Sequence, residues 1–166
     1  MADQSVRIPA AGGEVILATE TDQKLYDRMH FAAARRSGDV LYISGVIVGP
    51  RSGEGTDVDA FKEQARRAFR SLEATLKAAG AGFGDVAMIN SFHVFDGPGF
   101  SGSRMDQFTA LGAVKDEFMP APHPAWTAVG TSGLLSDTGV VEIQMIAHLP
   151  KGGGGLGPIY IQDSQR

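Results

Sequence analysis

HPAWTAV (123–129) and VVEIQMIAHLP (140–150), separated by GLLSDTG (133–139), are the stretches on which the fold turns. Both runs are rich in β-branched and aromatic residues, and the Gly/Ser/Asp segment between them marks a turn. They read as neighbouring antiparallel strands. That pairing would bring His123, Trp126 and Glu142 into one neighbourhood. Glu142 is the lone acid of an otherwise apolar strand. A carboxylate there either turns outward to water or sits in a pocket, where desolvation and neighbouring groups tune its pKa.

Upstream, DVLYISGVIV (39–48) is a strong strand, rich in β-branched and aromatic residues. Ser44-Gly45 interrupts it, and a glycine inside a strand marks a bulge or a close approach of ligand or backbone. Residues 5–19 contain a shorter run read as one strand at a sheet edge. The charged stretch 21–36 fits a helical turn or two, or an irregular loop. Thr56 to Asp59 looks like a capping box opening a helix. Val58, Phe61, Ala65, Phe69, Leu72, Leu76 and Ala79 then recur at three- and four-residue steps, and Gly80 closes the helix. Residues 84–95 form the next strand. A second helix starts near Ser101 or Ser103, with Met105, Phe108, Leu111, Val114 and Phe118 as its buried stripe, and Pro120 and Pro122 end it. The run KGGGGLG (151–157) is a linker by composition, so residues 1–150 read as one domain and 151–166 as linker and tail.

Helices gathered on one face of a mixed sheet give an α+β layer. The alternation in 40–48 and 140–146 leaves apolar residues on the other face too. In a chain this short, another copy of itself is the expected cover.

Composition removes several classes. A net charge of −4 gives no footprint for nucleic acid, and the absence of cysteine excludes disulfides, thiolate metal sites and thiol nucleophiles. No apolar run approaches a membrane span, and the start lacks the pattern of a signal peptide, which points to a soluble cytoplasmic protein. Four histidines without consistent spacing predict no metal site. Nor does the glycine run 152–157 have the lysine and following helix of a phosphate loop. Of the histidines, His123 is the candidate for proton transfer, because it adjoins the Trp126 segment.

GDVLYISG (38–45), Gln64 with the Phe69, Leu72, Leu76, Gly80 helix, Asp85-Val86, Pro124-Ala125 with Val129, and VEI (141–143) with Ile146-Ala147 together resemble the Rid family, also called YjgF/YER057c/UK114 and, under an older name, endoribonuclease L-PSP. The resemblance spans roughly residues 31 to 149. It implies a chorismate-mutase-like α+β fold with two helices on one face of the sheet. It further implies a homotrimer around a central barrel, with small-molecule clefts between subunits and no cofactor. The best-characterised branch hydrolyses enamines and imines to ammonia and 2-keto acids. Its carboxylate-gripping arginine after Pro-Ala is Trp126 here, its tyrosine falls at Phe31, and its glutamine after Ser-Gly is Val46. An indole cannot replace a guanidinium fork, so carboxylated imines are not the expected substrate. The resemblance places Glu142 in the cleft as the group that positions water. Trp126 and Phe31 would form an apolar wall, suited to an aromatic, heterocyclic or cationic ligand. Backbone amides near Ser44-Gly45 or Val129-Gly130 would polarise the reacting C=N or C=O group. The rival expectation is a binding protein without catalysis on the same scaffold. A ribonuclease, as the older name suggests, finds no support in the acidic balance.

Overall fold

The computed structural model describes residues 5–149; the linker and tail at 151–166 lie outside the described residues. Among these there are seven strands and three α-helices. The strands are β1 (Val6–Ala10), β2 (Gly13–Leu17), β3 (Ala34–Ser37), β4 (Val40–Val48), β5 (Val86–His93), β6 (Ala125–Gly130) and β7 (Val141–His148). The helices are α1 (Glu20–Met29), α2 (Val58–Ala78) and α3 (Arg104–Phe118). All strands join one mixed sheet in the order β1-β2-β3-β4-β7-β5-β6, and the α+β expectation holds.

The first segment is a hairpin rather than one strand, because Gly12 adopts φ +74° and turns β1 back onto β2. The charged stretch after it holds both α1, closed at its start by a Thr19/Asp22 capping box, and the short strand β3. The fold therefore has a third helix, α1, besides the two expected on one face of the sheet.

α2 buries Phe61, Ala65, Phe69, Leu72 and Leu76 against Ile16, Leu41, Ile43 and Ile143 of the sheet. Its cap sits one residue later than the sequence suggests. The Asp57 carboxylate accepts from the Asp59 and Ala60 amides, both at 3.0 Å, while the Thr56 hydroxyl is 2.6 Å from that of Ser101. Gly80 follows the helix at φ +77°, with no atom within 4 Å of where a Cβ would stand. Gly80→Ala should therefore cost only the left-handed backbone penalty, about 1 kcal/mol, read from urea unfolding.

α3 starts at a Ser103/Asp106 capping box and buries Gln107, Ala110, Leu111 and Val114. Met105, expected in the stripe, is 66% exposed. The buried arc is rotated toward Gln107, for a reason given below.

β6 and β7 are not neighbours. β6 runs parallel to β5 at the sheet edge, with Ile89 opposite Trp126, and β7 lies antiparallel between β4 and β5. The physical reason is the link from β5 to β6. A parallel pair needs a crossover, which α3 supplies by returning over the sheet, so β6 settles beside β5 and the central slot is left for the more apolar β7.

Along β7, Val141, Ile143, Met145 and Ala147 are buried under the helices, and Glu142, Gln144, Ile146 and His148 alternate onto the other face. α1 packs against β2, where Val15 and Leu17, which alternate with Ile16, are also buried. Farther along, the face is bare, and Tyr42, Ile47, Phe92 and Val129 are all at least 36% exposed.

Candidate functional site

The site begins with an irregularity in β4. Its register with β7 shifts between Ile43 and Val46, as the Ser44-Gly45 interruption predicts. The Ser44 amide donates to the Ala33 carbonyl at 2.9 Å and its hydroxyl to the Ala32 carbonyl at 2.6 Å. Ser44 thus fastens the segment carrying Phe31 to the bulge, with its hydroxyl proton committed to backbone. Phe31 is 44% exposed at this margin.

Beside the bulge, the Glu142 carboxylate lies over the bare Cα of Gly45. A methyl group at position 45 would come within 1.9 Å of Glu142 Oε1. Glu142 is flanked across the strands by Ile47 and Phe92, both on the open face. A cleft of about 380 Å³ opens here, lined by Gly45, Glu142 and Gln144 together with Phe92, Thr131, Leu134 and Leu135. Glu142 is the charged group of that lining, and no cation shares it. Val129 sits opposite Phe92 in the β5–β6 register, and Gly130 leads into Thr131. The 131–139 loop forms one wall and carries Leu135, which is 97% exposed.

Trp126 and His123 are not brought to this cleft within the chain. Trp126 alternates onto the helical face, where its Nε1–H donates to Ser91 Oγ at 2.8 Å and its ring packs on Phe108 with centroids 4.9 Å apart. His123 precedes β6 at the end where Ala125 meets Met88, whereas Glu142 meets Phe92. Four residues of strand, roughly 13 Å, separate those levels. The shared neighbourhood inferred from adjacent strands fails because β5 intervenes. His148 does share the open face with Glu142, as the two-residue period predicts.

The partners of Trp126 explain the rotation of α3. Ser91, His93 and Gln107 are fully buried and joined in series: Ser91 Oγ lies 2.8 Å from His93 Nε2, and His93 Nδ1 lies 2.8 Å from Gln107 Oε1. Gln107 Nε2 donates to the Val94 carbonyl at 3.1 Å, which fixes its amide orientation and makes Oε1 the acceptor. His93 therefore carries its proton on Nδ1, and Nε2 accepts from the Ser91 hydroxyl, which in turn accepts from the indole. Burial pushes the His93 pKa below its ordinary 6.5, opposed by the bond to Gln107. A Ser, a His and an amide in hydrogen-bond series are not a nucleophile here, because no substrate can reach Ser91. The chain instead ties edge strand β6 to β5, α3 and the start of the next loop.

Sequence reasoning missed Phe92, Gln144 and the 131–135 wall. Gln144 was accessible from the period of two counted from Glu142; Phe92 depended on strand order. Among the described residues no group of three or more His, Asp or Glu side chains is placed to hold a metal ion, and no helix is long and apolar enough to cross a membrane.

Residues 21–149 match the family model described as Endoribonuclease L-PSP. The RutC family protein YjgH of Escherichia coli K12 is 41% identical over 128 residues, covering 76% of this chain and 88% of that protein. A 2-iminobutanoate/2-iminopropanoate deaminase of Dermatophagoides farinae is 29% identical over 117 residues, 70% of this chain and 83% of its own. Among solved structures, protein YJGH superposes with a TM-score of 0.60 at 34% identity, covering 90% of this chain and 99% of its own. RidA from an Antarctic Psychrobacter superposes with a TM-score of 0.57 at 28% identity, covering 72% and 88%.

Proposed function

Because the chain belongs to the endoribonuclease L-PSP family, the Rid or YjgF/YER057c/UK114 family, we propose that it is a cytoplasmic homotrimer that binds a small neutral or cationic imine-type metabolite in clefts between subunits and hydrolyses it. The observation that carries this reading is the Glu142 carboxylate seated on Gly45 in a cleft whose lining holds no cation. Water held by Glu142 adds to the imine carbon as the carboxylate takes its proton. The carbinolamine then collapses to the carbonyl product as the proton held by Glu142 and the carbinolamine hydroxyl proton both pass to nitrogen and ammonia leaves, so that one water is consumed and the carboxylate is regenerated. A carboxylate in the wall favours an iminium or an aromatic cation and repels an anionic substrate. Phe92, Leu134 and Leu135 supply apolar area for a planar ligand. The exposed Tyr42, Ile47, Phe92 and Val129 are the surface that a trimer would cover. With its indole bound to Ser91, Trp126 serves in this reading to hold edge strand β6.

Ammonia release from imines generated in solution tests the proposal, with oligomeric state followed by light scattering. A neutral aromatic imine should turn over at least about tenfold faster than 2-iminopropanoate, the discrimination expected when one site charge is opposed rather than matched. A monomer in solution would refute the shared cleft. The second reading, binding without catalysis, is favoured by the lack of a cation in the cleft lining to grip a substrate. It would stand if a thermal-shift screen of metabolites found ligands that the protein does not consume.

A further inference from the structure

We propose that the chain carries a second small-molecule site, for an oxyanion on a short apolar body, in the groove between the turn after β4 and the flank of α2. This site shares no lining residue with the Glu142 cleft.

The groove exists because β3 is short. Its register with β4 ends at Ile43, so Val46 to Val48 have no strand partner on that side among the described residues. Backbone closes the back: a methyl group on Gly49 would lie 2.4 Å from the Thr138 carbonyl oxygen. The space is about 280 Å³, and Arg51, Arg67, Ser71 and Thr138 line it beside Val46 and Ile47. Two arginines, a serine and a threonine thus line it beside an apolar strip, and no acidic residue belongs to the lining. In a chain of net charge −4, this concentration of cations runs against the overall balance.

Arg67 is held in place. Its Nη1 donates to Glu54 Oε1 at 2.7 Å, and its Nη2 donates to Glu54 Oε2 and the Gly49 carbonyl, both at 3.0 Å. These bonds leave further N–H donors of its five for a ligand. Glu54 also accepts from the Arg51 amide at 2.9 Å. With the Arg67 hydrogen bond as the main cause, its pKa is lowered to about 2, so the clamp stays ionised at neutral pH. The turn closes with Glu54 N–H donating to the Arg51 carbonyl at 3.0 Å and with Gly53 at φ +83°. It presents an exposed Arg51 whose guanidinium has no hydrogen-bond partner among the described residues. Two cations against one paired carboxylate leave a net positive charge. One fixed and one free guanidinium suit a planar carboxylate or a phosphate.

The full chain is titrated calorimetrically at low ionic strength with inorganic phosphate and, separately, with benzoate. Saturable binding of either is expected: phosphate alone indicates a phosphorylated ligand, and benzoate alone an organic acid. Arg51→Gln should weaken that binding about ten- to hundredfold, since a charged hydrogen-bond donor is removed. Arg28→Gln, which deletes the same charge from α1, should leave it unchanged. The proposal is overturned if neither probe saturates, if Arg51→Gln binds like the parent, or if Arg28→Gln weakens binding as much as Arg51→Gln.

Discussion

Glu142→Gln is expected to lower imine turnover by about 10³-fold while leaving the fold intact, because an amide of the same shape cannot accept the proton of the attacking water. The substitution strands no partner, since the Glu142 carboxylate has no hydrogen-bond or ion-pair partner among the described residues. Its melting temperature should therefore stay close to that of the parent. Gly45→Ala reaches the same group by geometry alone. The added methyl would stand 1.9 Å from Oε1 and 2.6 Å from Cδ, so the carboxylate must leave its seat, although no reacting atom changes. Turnover should again fall steeply, with stability reduced by about 1–3 kcal/mol if the strand also shifts. Full ammonia release by Glu142→Gln would remove Glu142 from the chemistry. Full activity of Gly45→Ala would show that the observed seat is not the working one.

His93→Leu should destabilise the chain by about 3 kcal/mol in urea unfolding. It leaves the buried Ser91 hydroxyl without its acceptor and Gln107 Oε1 without its donor, each a stranded polar group. The same residue sets a pH dependence. Its folded pKa is depressed by burial below 6.5, so the unfolded chain binds the additional proton first. The stabilisation is complete above about pH 6.5 and declines as pH falls from there toward the folded pKa. His93 is stacked on Phe95 at 5.4 Å and lies near Phe108, and beyond Phe95 stands Arg104, 5.2 Å from the Phe95 centroid and paired with Asp96 at 3.6 Å. Neither ring nitrogen bonds a carboxylate that would rescue the imidazolium. The parent should therefore lose melting temperature as pH falls below about 6.5 in a way that His93→Leu does not. Parallel pH profiles would refute a titrating His93 as the cause.

The helices were largely legible. Phe61, Phe69, Leu72 and Leu76 follow one another at intervals that only a helix places on a single face, and that face is buried. α3 was legible in extent but not in phase, because a polar pair, Gln107 and His93, took the place an apolar stripe would assign to Met105. β3 and α1 were obscured by the charges of their segment. Ser44-Gly45 announced itself as an irregularity, yet what the glycine accommodates is a side chain from a strand nearly a hundred residues later in the sequence.

The sequence by itself determined the α+β class, the α2 and α3 helices, the bulge in β4 and the family, because periodicity and turn chemistry are properties of neighbouring residues and survive without knowledge of contacts. Only the tertiary structure decided that β7 lies between β4 and β5, that Trp126 and Glu142 occupy opposite faces of the sheet, and that Phe92 and Gln144 join Glu142 in the cleft. Strand order and register come from long-range pairing, whose closure no local pattern encodes. With a side-chain period of two, each pairing assigns a whole strand to one face or the other.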